Sequence, residues 1–233
     1  MMTGRAALSA LPSVVFLGAS GQWRRQGNPT IPAAWRLRPA STPMGSIDHM
    51  EIHPLTPDRW QDLEQLFGRR GAYGGCWCMW NRLTNREFEA SSGGEKREML
   101  RDIVDDRVAG LLAYEDGTPV GWVSLGPREE FGRIQRSRVT RAVDEVPVWS
   151  IVCFVIERNH RGRGVGSALL QAAVEYARDN GAVAIEGYPV EPRRDRMPDI
   201  YAWMGLASMF ESGGFTEIAR RSDTRPLFRK VLR

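Results

Sequence analysis

One hexapeptide constrains this chain more than any other feature: Arg161-Gly162-Arg163-Gly164-Val165-Gly166. Before it runs Val148 to Ile156, almost wholly apolar, as a central strand buried on both faces should be. After it, Val165, Leu169, Ala172, Ala173 and Tyr176 mark one face of a helix reaching to about Asn180. A strand that turns through glycines into a helix places unpaired backbone N–H groups at the positive end of the helix dipole. Glycines let that backbone approach an anion closely, and two arginines add charge. The pattern predicts a cradle for a pyrophosphate.

The neighbouring stretches set this loop in a mixed α/β chain. Glu51 to Leu55 reads as a strand, and Thr56-Pro57-Asp58 as a helix start followed by Trp60, Leu63, Leu66 and Phe67 on one face. A Gly71–Gly75 loop precedes the aromatic knot Cys76-Trp77-Cys78-Met79-Trp80, and a polar helical stretch from about Asn85 to Arg107 breaks at Ser-Ser-Gly-Gly. Leu111–Tyr114, the Asp116-Gly117 turn and Val120–Leu125 predict a β-hairpin. Arg128 to Glu145 is a charged connection. Further on, Ala182–Glu186 reads as a strand, Leu206–Ser212 as a helix, and Leu227–Val231 as the last strand. The order is hairpin strands leading into one strand–loop–helix–strand unit.

Composition narrows the function classes. The net charge of +4 comes from residues 1–48, where Arg5, Arg24, Arg25, Arg36 and Arg38 face Asp48 alone. The rest is balanced, so nucleic-acid binding is not expected of the body. No apolar run reaches the length of a membrane span. Cys76, Cys78 and Cys153 are too few for a disulfide framework, and three histidines away from any Cys-x-x-Cys make no structural zinc site. Residues 1–48 are interrupted by Pro12, Pro29, Pro32, Pro39 and Pro43. They carry faint features of a signal or transit peptide, and the preferred expectation is a disordered or over-annotated extension preceding a domain at 49–233.

The glycine spacing discriminates among phosphate-binding loops. A P-loop requires Lys before the final Ser/Thr, and Gly166-Ser167 has none; the dinucleotide fingerprint requires Gly-x-Gly-x-x-Gly, whereas Gly162, Gly164 and Gly166 are spaced by two. Arg161-x-x-Gly164-x-Gly166 after a hydrophobic strand resembles the acyl-CoA-binding signature of the GNAT acetyltransferase superfamily. Ser208-Met209-Phe210-Glu211-Ser212-Gly213-Gly214-Phe215 resembles that family's late Leu-Tyr-Glu-x-x-Gly-Phe segment. The knot Gly-Gly-Cys-Trp-Cys-Met-Trp looks like a poorly characterised branch of the same superfamily. The resemblance covers roughly Met50 to Arg233.

The resemblance implies a GNAT-like acyl-CoA N-acyltransferase fold, α/β with a mixed central sheet flanked by helices. It implies acetyl transfer from acetyl-CoA to a primary amine of a small molecule or peptide, by direct attack and with no metal. By position, the cofactor contacts fall on Phe154, Val155 and Ile156 for the pantetheine, and on Arg161, Gly162, Arg163, Gly164, Val165 and Gly166 for the phosphates. The backbone N–H of Phe154 or Val155 would polarise the thioester. Glu157 and Glu186 are candidate proton acceptors, and a solvated or ion-paired carboxylate is the competing reading of each. Phe210 replaces the family's thiolate-protonating Tyr, which raises an alternative: a catalytically silent acyl-CoA-binding regulatory module. Five of the eight tryptophans, Trp77, Trp80, Trp122, Trp149 and Trp203, either line an acceptor pocket or fill the core. His160 reads as a loop residue beside the phosphates. Arg193-Arg194-Asp195-Arg196 is an exposed loop, an acidic-substrate contact or a 3′-phosphate site. The expected setting is cytoplasmic, with neither nucleic acid nor membrane as partner, and a homodimer is the assembly such domains most often form.

Overall fold

The computed structural model describes residues 50–192 and 198–232. The expectations for the extension 1–48 and for the cluster Arg193–Arg196 lie outside the described residues. Seven strands form one sheet: β1 (Met50–Pro54), β2 (Gly110–Glu115), β3 (Thr118–Pro127), β4 (Trp149–Ile156), β5 (Ala184–Gly187), β6 (Thr216–Arg220) and β7 (Pro226–Val231). Their spatial order is β1-β2-β3-β4-β5-β7-β6. Every neighbouring pair is antiparallel except β4 and β5, which run parallel. The fold is therefore the expected mixed sheet flanked by helices.

Local chemistry accounts for most elements. A proline-led 3-10 turn at Pro57–Arg59 opens α1 (Trp60–Phe67), whose Trp60, Leu63 and Phe67 point into the core. The polar stretch splits, as its Ser-Ser-Gly-Gly break predicts, into α2 (Asn85–Ala90) and α3 (Gly93–Asp106). Both begin with complete capping boxes, Thr84 with Glu87 and Ser92 with Glu95, so helices with little apolar content still start at defined residues. The β2–β3 hairpin turns at Asp116 and Gly117, both with positive φ, as a two-residue hairpin turn requires. The charged connection carries α4 (Gly132–Arg136). The crossover helix is α5 (Val165–Asp179), and α6 (Ala207–Ser212) precedes the C-terminal strands. No helix among the described residues is long and apolar enough to cross a membrane.

The sheet carries helices on both faces. On one side α5 and α6 meet Ile151, Phe154, Ile185 and Phe228 in the larger apolar cluster. Gly121 on β3 lets the start of α5 seat there, because a Cβ at that position would stand 2.7 Å from Val165 Cγ1. On the other side Trp60, Trp77, Leu100, Val104, Trp122 and Cys153 form a second cluster beneath α1, α3 and the knot. A third, smaller cluster of Phe131, Ile134, Val152, Tyr188, Met204 and Leu227 lies beside the junction of β4 and β5. Strand β6 was not foreseen. Its residues are mostly exposed and show no apolar alternation, so only pairing with β7 marks it as a strand.

Candidate active site

The sheet forks at β4. Strands β4 and β5 pair only through Trp149–Ile185, Ser150–Glu186 and Ile151–Gly187, while β4 continues along β3 to Ile156. A bulge sits at the fork: Leu125 faces Ile151 and Ser124 faces Cys153, leaving Val152 without a partner in either ladder. The bulge shifts the facing of the side chains, so Ile151 and Phe154 share the α5 cluster while Val152 and Cys153 turn to the other two clusters.

Beyond the bulge the backbone alternates regularly. Glu157 N–H donates to Val120 O of β3 at 2.9 Å, whereas Phe154 N–H donates to Trp203 O at 2.7 Å. The N–H of Val155 therefore faces β3, and the polar groups of Ile156 face the fork. Arg161 Nε donates to Ile156 O at 3.2 Å. The N–H of Phe154 or Val155, expected to polarise a thioester, is in each case engaged in this structure. The first is bonded to the segment following β5, and the second is turned into the sheet. Trp203 and the segment that presents its carbonyl carried no sequence signal of this contact.

The two carboxylates do not share a site. Glu186 pairs with Ser150 in the register, and Glu157 lies seven residues further along that strand, roughly 20 Å away at strand rise. Glu186 is fully buried and held by two guanidiniums. Arg128 Nη1 contacts its Oε2, and Arg229 donates to its Oε1 from Nε at 3.0 Å and Nη2 at 2.6 Å. Tyr188 Oη donates to the same carboxylate at 3.1 Å and meets Ser150 Oγ at 2.9 Å. Burial, and then the Glu186 charge, push the Tyr188 phenol far above its ordinary range. Arg229 also grips Asp144 at 2.7 and 2.9 Å, and Arg128 Nη2 donates to Thr140 O at 2.6 Å. This cluster clamps the 128–148 connection to β5 and β7. The ion-paired reading of Glu186 is the one its geometry supports.

Glu157 caps the short 3-10 turn Arg158–His160, accepting from Asn159 N–H at 2.7 Å and meeting His160 Nδ1 at 2.7 Å. The His160 hydrogen bond holds its carboxyl below the usual glutamate value, which weakens it as a base. The other imidazole nitrogen meets Glu115 at 2.9 Å, and Arg163 pairs with Glu115 at 2.7 and 3.2 Å. His160 is thus a loop residue, as expected, and Arg163 ties the loop to the end of β2.

The glycine loop itself is open. Gly162 and Gly164 have φ of +71° and +86°, and a Cβ on either would meet no heavy atom within 4 Å. Gly164 is the residue before the first turn of α5. Among the described residues, the amides of Gly162 to Ser167 reach no backbone acceptor outside the helix. A Cβ on Gly166 would meet only Met209 Sδ, at 3.2 Å. A run of amides without such acceptors at a helix start is the arrangement that suits an anion.

The remaining aromatic candidates divide. Trp77, Trp122 and Trp149 are buried in the packing clusters, and Trp80 is 40% exposed with the Arg133 guanidinium 3.8 Å from its ring centroid. Only Trp203 stands at the fork. Phe210 is fully buried, and a Cβ on Gly187 would lie 2.0 Å from its Cε1, so the ring is pressed against the end of β5. The cysteines are free thiols; Cys78 Sγ lies 3.4 Å from Cys153 Sγ and accepts from Trp122 Nε1 at 3.1 Å. Among the described residues, no group of three His, Cys, Asp or Glu side chains is placed to hold a metal ion. Sequence reasoning missed Asn81, immediately after the knot. It is 3% exposed, and its Nδ2 donates to Val152 O at 3.0 Å.

A family model described as the acetyltransferase (GNAT) family matches residues 77–202. No curated protein matches the chain. Solved structures similar to it include a GNAT-family acetyltransferase from Streptococcus agalactiae (13% identity, 80% of this chain and 97% of that one, TM-score 0.48). The GNAT domain of S. lividans PAT is 18% identical over 78% of this chain and 90% of that one, with a TM-score of 0.46. The PaiA N-acetyltransferase from Thermoplasma acidophilum, solved in complex with coenzyme A, is 14% identical over 78% of this chain and 98% of that one, with a TM-score of 0.44.

Proposed function

The chain belongs to the acetyltransferase (GNAT) family, and from that premise we propose that it moves an acetyl group from acetyl-CoA to a primary amine by direct attack. Family membership makes it an acetyl-CoA-dependent N-acyltransferase; the primary amine, the direct attack and the division of labour among residues are the proposal. The observation that carries it is the open loop. Gly162 and Gly164 expose their backbone where a side chain would meet nothing, and the amides up to Ser167 stand unengaged at the start of α5. They hold the diphosphate, aided by the helix dipole. The fork-facing edge of Ile156 pairs with the pantetheine arm.

The chemistry asks little of ionisable side chains. An unprotonated amine attacks the thioester carbon, the C–S bond breaks, and the thiolate leaves with a pKa of about 8.5, tolerable without prior protonation. The proton shed by the new amide nitrogen passes to that thiolate or to water. Phe210 has no proton to give, and Glu186 is locked by Arg128 and Arg229. The acceptor is therefore taken up as the free amine, or loses its proton to water at the fork.

Calorimetric titration of acetyl-CoA into the protein tests the first half; absence of saturable binding refutes it. Release of CoA thiol across a panel of an alkylamine, an arylethylamine, an amino acid and a free-amino-terminal peptide tests the second. The buried Phe210 favours one competing reading, a silent acyl-CoA-binding module, for which binding would occur without amine-dependent thiol release.

A further inference from the structure

The bulge on β4 leaves Val152 without a register partner in either ladder, and Asn81 bonds its carbonyl. Its Nδ2 lies 3.0 Å from Val152 O. A carbonyl oxygen only accepts, so the amide nitrogen, not Oδ1, must face it, and the orientation of the carboxamide is settled. The main chain there is held as well, since Arg133 N–H donates to Asn81 O at 3.1 Å. Yet the bond to Val152 uses one of the two Nδ2 hydrogens. Among the described residues the second hydrogen has no partner, in a residue only 3% exposed. Donors buried this deeply ordinarily find an acceptor.

The fork has a use for such a donor. Attack on a thioester develops negative charge on the carbonyl oxygen, and preorganised N–H groups stabilise it. The two backbone amides expected to do so are otherwise engaged, Phe154 with Trp203 O and Val155 with β3. Resting on the acyl-CoA reading above, we infer that the free Nδ2 hydrogen of Asn81 donates to the thioester oxygen. Asn81 is then a catalytic donor. The Val152 carbonyl fixes its plane, and the Val152 side chain is anchored among Phe131, Tyr188 and Met204, so the donor is held in place before the charge develops. The contact transfers no proton: the oxygen gains negative charge as the amine nitrogen bonds to carbon, and loses it as the C–S bond breaks.

The spectroscopic arms of the test need no identified acceptor. Acetyl-CoA carrying 13C at the thioester carbonyl is bound to the full chain, and the carbonyl stretch is followed by infrared difference spectroscopy. The expected result is a shift to lower wavenumber on binding that Asn81→Ala loses while acetyl-CoA affinity is retained. Amine-dependent turnover in that variant falls ~10²–10³-fold. A second arm uses the unsubstituted protein with 15N-asparagine. One of the two Asn81 side-chain protons moves downfield with acetyl-CoA but not with CoA, which lacks the carbonyl. This arm decides the matter if Asn81→Ala does not fold. An undiminished carbonyl shift in a folded Asn81→Ala, or an Asn81 amide indifferent to acetyl-CoA, overturns the inference. Failure of the unsubstituted protein to bind acetyl-CoA at all overturns the acyl-CoA reading, and with it this one.

Discussion

Replacing Gly164 by alanine separates the strain of the loop from its function. The residue has φ +86° and ψ −5°, and an added methyl would touch no protein atom within 4 Å. The fold should therefore lose only the left-handed backbone penalty, ~1–2 kcal/mol. For a domain of this size that lowers Tm by roughly 2–8 °C. Binding should suffer far more, because the methyl projects into the space a phosphate would fill. Hydrogen bonds to a charged group contribute about 1.5–3 kcal/mol each. Losing two of them weakens affinity for CoA by ~10²–10⁴-fold. Gly181 is the matched control. It has φ +80°, nothing within 4 Å of an added Cβ, and a place beyond the opposite end of α5. Fifteen helical residues put it about 22 Å from the loop. Gly181→Ala should show the same fall in Tm with unchanged CoA affinity. The measurements are scanning calorimetry and isothermal titration with CoA. Equal CoA binding by the two variants would refute the assignment of the diphosphate to this loop.

Four further outcomes follow from the geometry. Glu186→Gln leaves Arg128 and Arg229 without their shared anion, and urea unfolding should show a loss of about 3–5 kcal/mol; a loss below about 1 kcal/mol would place this pair with exposed ones. Burial pushes the Glu130 carboxyl up, but Arg82 at 2.6 Å and Arg107 at 2.8 Å outweigh it and the net direction is down. Its contribution is then complete above the unfolded value near 4.5 and is lost as pH falls through the lower folded value, so Glu130→Gln should flatten the acid side of the stability profile; an unaltered profile counts against it. Burial, then the neighbouring Cys78, push the Cys76 thiol up to about 11, so a disulfide reagent at neutral pH should modify it slowly and reach the buried Cys78 and Cys153 only on unfolding; rapid labelling of two thiols would contradict this. Phe210→Tyr sets a hydroxyl among the rings of Phe154, Phe215 and Phe228 and should cost about 1–3 kcal/mol without accelerating thiol release; a faster enzyme would show that the late aromatic reaches the sulfur after all.

What could be read from the chain was what depends on neighbours in sequence. The β4 run, the glycine turn and α5 follow from apolar periodicity and glycine spacing within about thirty residues. The break between α2 and α3 follows from two adjacent serines and glycines. The features that decide the chemistry depend on residues far apart. Phe154 was a sound position for a polarising amide, but its N–H meets a carbonyl forty-nine residues later, at Trp203. Glu186 looked like a carboxylate beside a cleft because Arg128 and Arg229 are remote in sequence, and only the β5–β7 register and the 128–148 connection bring them to it. Asn81 sits among residues notable for tryptophan and cysteine, and nothing local distinguishes an asparagine that caps a bulge from one in a turn. Strand β6 shows the same limit for secondary structure, since an exposed edge strand has no buried face to impose alternation.

The fork also divides the sheet by chain order. Strands β1 to β4 come from residues 50–156 and strands β5 to β7 from 184–231, and only three residue pairs join the two groups across the sheet. Residues 157–183, which include α5, are the chain's only passage between them. An elongated guest lying in that gap would touch both contiguous blocks at once and act as a clasp. Its presence would make the blocks melt together, and its removal would leave the seam as the place where the sheet first parts.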